Sequence, residues 1–139
     1  MTARTGVGQG REWLRRIGVF GLVGSVATAI QYAILILGVE LLALRPAVAS
    51  GIGFVVSATV NYYLNHRLTF RSSRPHLSAA SRFIVVAGVG LLLNVAAMEL
   101  LTVRWRVPYL LGQITATALV ITWAFCGSAF WTFAHRVER

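Results

Sequence analysis

The stretch NYYLNHRLTFRSS, residues 61–73, places Asn61 and Asn65 one helical turn apart and follows them at once with Arg67 and Arg71. Guanidinium groups bind phosphate through paired N–H donors, and neighbouring amides can satisfy the remaining oxygens. Arg16 and Arg82 begin two other apolar segments at the same expected depth. Arg16, Asn61, Asn65, Arg67 and Arg82 are therefore candidate residues for holding an anionic phosphate headgroup. The same arginines could instead do no more than anchor helix ends against anionic lipid. Residue chemistry leaves both readings open.

A second set of polar residues lies inside apolar surroundings, where each is costly and faces either a partner or a wet cavity. Gln31, Asn94 and Gln113 fall in three different segments and are candidates for a translocation path. For any one of them an interhelical hydrogen bond is an equally physical use. Glu40 and Glu99 each precede an arginine by five residues, Arg45 and Arg104 respectively. That spacing predicts an ion pair closing each turn, or else a gate built from the two carboxylates.

Catalytic or metal-binding patterns are lacking. There is no CxxC or HExxH spacing and no glycine-rich phosphate loop beside a strand, and His66, His76 and His135 have no evident triad or metal partner. The expectation is a non-enzyme without cofactor or metal. The single cysteine, Cys126, allows no intrachain disulfide.

The elements that must position these groups follow from composition. The 139 residues are 57% hydrophobic and 12% charged, and a core of this size could not hide so much apolar surface from water. Residues 17–39, 46–66, 83–98 and 107–135 contain no Asp, Glu, Lys or Arg. About 20 apolar residues cross a hydrocarbon layer of roughly 30 Å, so four transmembrane helices are predicted. The third is long enough only if it runs on past Glu99 to about Val103. The Ala27-x-Ala29 pair resembles a signal-peptidase site, but the apolar run continues unbroken to Val39, so an uncleaved first helix is expected.

The net charge of +9 comes without a single lysine. With four spans, one side collects Arg4, Arg11, Arg15 and Arg16, then Arg67, Arg71, Arg74 and Arg82, then Arg136 and Arg139. The other side receives only Arg45, Arg104 and Arg106. That bias predicts cytoplasmic termini in a multi-pass protein of the inner membrane and makes nucleic acid an unneeded explanation of the charge.

Residues 1–10 read as a disordered tail. Residues 11–20, with Trp13, Ile17 and Phe20 on one helical face and Arg11 and Arg15 on another, suit either an interfacial helix or the cytoplasmic end of the first span. The remainder reads as two tandem hairpins, about 16–71 and 82–136. Arg16, Gly21 and Gly24 align with Arg82, Ala87 and Gly90, and LTF (68–70) aligns with WTF (131–133). Two-span copies have the same orientation and are related by an axis along the membrane normal. Small residues mark expected helix contacts: Gly18, Gly21 and Gly24 on the first helix, Ala49, Gly53 and Ser57 on the second, and Gly112, Ala116, Ala124 and Ser128 on the fourth.

ATVNYYLNHRLTF (58–70), RRIGVFGLVGSVATAIQY, RFIVVAGVGLLLNVAAMEL and SAFWTF together resemble the GtrA-like family of small four-span membrane proteins, over residues 11–136. Asn61, Asn65, Arg67 and Phe70 match that family's first exit motif, with His66 where a second arginine is common. Ala124, Ser128 and Phe130 depart from it in the second copy. The resemblance implies movement of a polyprenyl-phosphate-linked sugar, such as undecaprenyl-phosphate glucose, between leaflets for surface polysaccharide synthesis. Alternatively it implies a scaffold that recruits a membrane glycosyltransferase. A homo-oligomer is expected, because four helices enclose little volume. A small multidrug exporter would want a carboxylate deep in the first helix, where this chain has Gln31.

Overall fold

The computed structural model describes residues 6–68 and 76–137, and the side chains of residues 6, 8–67 and 81–127. Helix α1 spans Gly6–Leu42, α2 Pro46–Leu68 and α3 His76–Glu99. A π-helical turn, Leu100–Arg104, continues α3, and α4 spans Tyr109–Val137. All four helices contain stretches long and apolar enough to cross a membrane, and the third of these runs to Arg104 as expected. Hydrocarbon offers the backbone no hydrogen-bond partner, so these runs fold as helices despite their many glycines and β-branched residues.

With 37 residues, α1 is about 55 Å long, well beyond a hydrocarbon core of about 30 Å. Residues 11–20 belong to this one continuous helix, which decides against a separate interfacial helix. The helix also takes in residues 6–10, which their composition marks as tail.

Both turns are built alike. Ala43 and Arg106 adopt left-handed conformations, each with φ of 52°. The residue after each closes back on the helix, Leu44 N–H to Gly38 O at 3.0 Å and Val107 N–H to Leu101 O at 2.9 Å. The next helix then starts with Ala49 N–H to Arg45 O and Gly112 N–H to Pro108 O. A non-glycine residue in this region costs roughly 1–2 kcal/mol. The same strain therefore recurs 63 residues apart, with the same bonds around it.

Packing runs in chain order, α1 on α2, α2 on α3 and α3 on α4. Close approach between α1 and α2 depends on two glycines. A Cβ at Gly38 would lie 2.8 Å from Ala49 Cβ, and one at Gly53 would lie 2.9 Å from the Gln31 carbonyl oxygen. In the second hairpin Gly112 sits where a Cβ would meet Leu101 Cβ at 3.6 Å. Leu101 and Gly112 lie 63 residues after Gly38 and Ala49, so the same crossing is made with the smaller residue on the opposite helix.

The ion pairs differ from the expected pattern. Arg45 binds Glu99 across the two hairpins, and Glu40 accepts from Tyr109 Oη at 2.8 Å. Neither carboxylate pairs with the arginine five residues later, because the turns carry Arg45 and Arg104 away from their own helix ends and set Arg45 beside the next hairpin. Both partners of the Arg45–Glu99 pair are well exposed, and such pairs contribute less than about 1 kcal/mol. Reversing both charges, Arg45→Glu with Glu99→Arg, is expected to restore the thermal stability lost by Arg45→Glu alone in detergent. Arg104→Ala is expected to change nothing, and a loss there equal to that of Arg45→Ala would contradict the pairing.

Candidate functional site: a cavity open toward lipid

One stripe of each helix lines a cavity of about 940 Å³. On α1 the stripe passes through Phe20, Gly24, Ala27 and Gln31, and on α2 through Phe54, Ser57 and Asn61. On α3 it passes through Phe83, Val86, Gly90 and Asn94, and on α4 through Thr117, Val120 and Ala124. The three- and four-residue steps keep each set on one helical face. Small side chains create the space. A Cβ on Gly18, Gly21 or Gly24 would meet nothing within 4 Å, so the glycine face of α1 leaves room instead of packing on a neighbour. The small residues of α2 behave as expected, with Ala49 and Ser57 buried and Gly53 set against Gln31.

The cavity is closed toward the turns and open to the side. Asn94 Nδ2 donates to Ser50 Oγ at 2.7 Å, and Ser50 Oγ donates to Gln113 Oε1. Gln113 Nε2 donates to Asn94 Oδ1 at 3.1 Å and to Thr117 Oγ1 at 3.2 Å. Tyr32 Oη meets Thr117 Oγ1 at 3.3 Å, which brings α1 into the same network. Ser50, Asn94 and Gln113 are almost wholly buried. Among the described residues α1 and α4 otherwise scarcely touch. Toward the chain termini, the cavity residues Phe20, Ile121 and Phe125 of these two helices are 66%, 63% and 75% exposed. The aperture between α1 and α4 therefore faces the bilayer.

Of the expected path residues, Asn94 and Gln113 are hydrogen-bonded to each other. Gln31 lines the cavity and is bonded to neither. Of the expected phosphate residues, Asn61 lines the cavity and accepts from Asn65 Nδ2 at 2.6 Å. Asn65 Oδ1 is buried without a partner among the described residues. Arg16 and Arg82 are exposed, each one turn before a lining residue, Phe20 and Val86. They stand at the terminal rim. Arg67 lies six residues past Asn61, about 120° round the helix from it, with its guanidinium 5.5 Å from the centre of the Tyr63 ring. It occupies another face of α2. Phe70, Arg71, Arg74, Ser128, Phe130 and the WTF of residues 131–133 lie outside the described side chains, whereas Ala124 is described and lines the cavity.

Ser50, Tyr32 and Tyr109 are contributors that the sequence did not mark. A serine between alanine and glycine looks like a packing residue, and a tyrosine in an apolar run looks like bulk. Thr115 and Thr122 bond to carbonyls of their own helix, at Leu111 and Ala118.

Four apolar spans around a cavity with an amide and hydroxyl end define a multi-pass membrane protein. The family model described as GtrA/DPMS, transmembrane domain, matches residues 19–133, and the chain belongs to that family. Membership implies a part in polyprenyl-phosphate sugar pathways. No curated protein and no solved structure matches the chain.

Proposed function

We propose that the protein moves a polyprenyl-phosphate-linked sugar from the cytoplasmic to the outer leaflet for surface polysaccharide synthesis, without chemistry of its own. The observation that carries this reading is the aperture between α1 and α4: a headgroup can enter sideways while its isoprenoid tail stays in lipid. The arginine bias puts the open, terminal end on the cytoplasmic side. Arg16 and Arg82 at the rim then capture the phosphate, with Asn61 and Asn65 below them, and Arg67 adds attraction from the neighbouring face. The buried Ser50, Asn94 and Gln113 network holds the opposite end shut, with the Glu40–Tyr109 and Arg45–Glu99 contacts lying above it. The matching turns 63 residues apart support two tandem copies of one hairpin.

A polyprenyl-phosphate glycosyltransferase is the kind of partner that must supply such a lipid. A homo-oligomer would have to pack through faces other than the gap between α1 and α4, which the lipid needs open. Reconstitution in proteoliposomes, with transbilayer movement of undecaprenyl-phosphate glucose as the readout, tests the proposal. Arg16→Ala with Arg82→Ala is expected to cut flux by about tenfold or more, since each charge-assisted bond contributes roughly 1.5–3 kcal/mol. Equal flux with and without protein would overturn it.

A further inference from the structure

We infer that the deep end of the cavity is a recognition subsite for an uncharged, hydroxyl-rich sugar, and that Gln31 is the residue that reads it. The inference rests on the transport reading above and specifies which sugar class is carried. Gln31 is 8% exposed and lines the cavity, yet its side-chain amide bonds to no described residue. The other polar groups around it are occupied. Asn94 and Thr117 belong to the closed network, Ser57 Oγ donates to Phe54 O at 3.0 Å, and Asn61 accepts from Asn65. A buried primary amide has two donors and an acceptor to satisfy, and in lipid only a cavity occupant can do so.

The bare backbone of Gly53 packs against the backbone and Cγ of Gln31 and so sets where this side chain leaves α1. Phe54, one residue from Gly53, lines the same cavity, while Trp123, bonded to Val86 O at 3.3 Å, lines it nearer the terminal end. Aromatic faces beside amides suit a sugar, which presents C–H surfaces and hydroxyls together. No described lining residue is charged, so a carboxylate on the sugar would add a second unpaired negative charge to that of the phosphate every such lipid carries, far costlier than a hydroxyl that gains a hydrogen bond. Gln31 also lies about 22 Å along α1 from Arg16, farther than a sugar phosphate reaches. The arginines and Gln31 therefore hold the headgroup in turn, the first selecting phosphate and the second selecting the sugar.

Binding to the full chain in nanodiscs tests this separately from transport, using three probes: undecaprenyl phosphate alone, its glucosyl form and its glucuronosyl form. The wild type is expected to favour the glucosyl over the glucuronosyl lipid by on the order of tenfold or more. Gln31→Leu is expected to weaken the glucosyl lipid about fivefold, the loss of one hydrogen bond, while binding of the sugar-free lipid stays unchanged. Equal weakening of both lipids by Gln31→Leu, or a wild-type glucosyl to glucuronosyl ratio near one, would overturn the inference. The ratio needs no variant and so survives a misfolded one. A chain that binds with this selectivity but moves nothing would refute transport and leave the subsite standing.

Discussion

Gly38→Ala is expected to destabilise the protein by roughly 1–3 kcal/mol, and Ala49→Gly in the same chain is expected to return most of that loss. The new methyl would stand 2.8 Å from Ala49 Cβ, where carbon atoms prefer about 3.5–4.0 Å. Neither atom can turn away, because each Cβ is fixed to the backbone of a membrane-crossing helix. Relief must come from separating α1 and α2, where Leu35, Ala47 and Ala49 form the buried core. The double variant moves the methyl from α2 to α1, the arrangement that the second hairpin already uses with Leu101 and Gly112. Thermal unfolding in detergent of the two single variants and the double gives the coupling. Additive losses would mean that the crossing is not what Gly38 serves.

The four helices were legible because hydrocarbon imposes a long charge-free run on anything that crosses it, and 17–39 or 46–66 could be little else. The packing stripe of Ala49, Gly53 and Ser57 was legible too, since its four-residue spacing is the signature of close helix approach. The same logic failed for Gly18, Gly21 and Gly24. Small residues permit contact but do not supply a neighbour, and whether a glycine face packs or leaves a void depends on where α4 stands. Pairing at the turns was hidden for a related reason. Arg45 lies five residues from Glu40 in sequence, yet a left-handed residue at Ala43 redirects the chain and brings Arg45 to Glu99 of the other hairpin. The π turn at Leu100–Arg104 had no signal in residue types. Asn94 and Gln113 were recognisable as costly polar groups, but only the fold shows that they satisfy one another and leave Gln31 as a cavity-lining amide bonded to neither.

That division of labour leads to the second large effect. Asn94→Leu is expected to lower stability by about 1–2 kcal/mol, near the upper end measured for interhelical hydrogen bonds in membranes. One substitution removes the bond from Asn94 to Ser50 on α2 and the bond from Gln113 on α4, so three helices lose their common tie. Ser50 Oγ keeps its bond to Gln113, and Gln113 Nε2 keeps Thr117, which limits the loss. Asn61→Leu, by contrast, breaks a bond to Asn65 within α2 and is expected to cost far less. Comparing thermal midpoints of the two variants in detergent distinguishes a structural tie from a cavity wall. Equal losses would show that the Asn94 network does not hold the turn end of the bundle together. A larger loss at Asn94, with the Arg45–Glu99 and Glu40–Tyr109 contacts intact, would locate the closure in the buried amides instead of in the exposed charges above them.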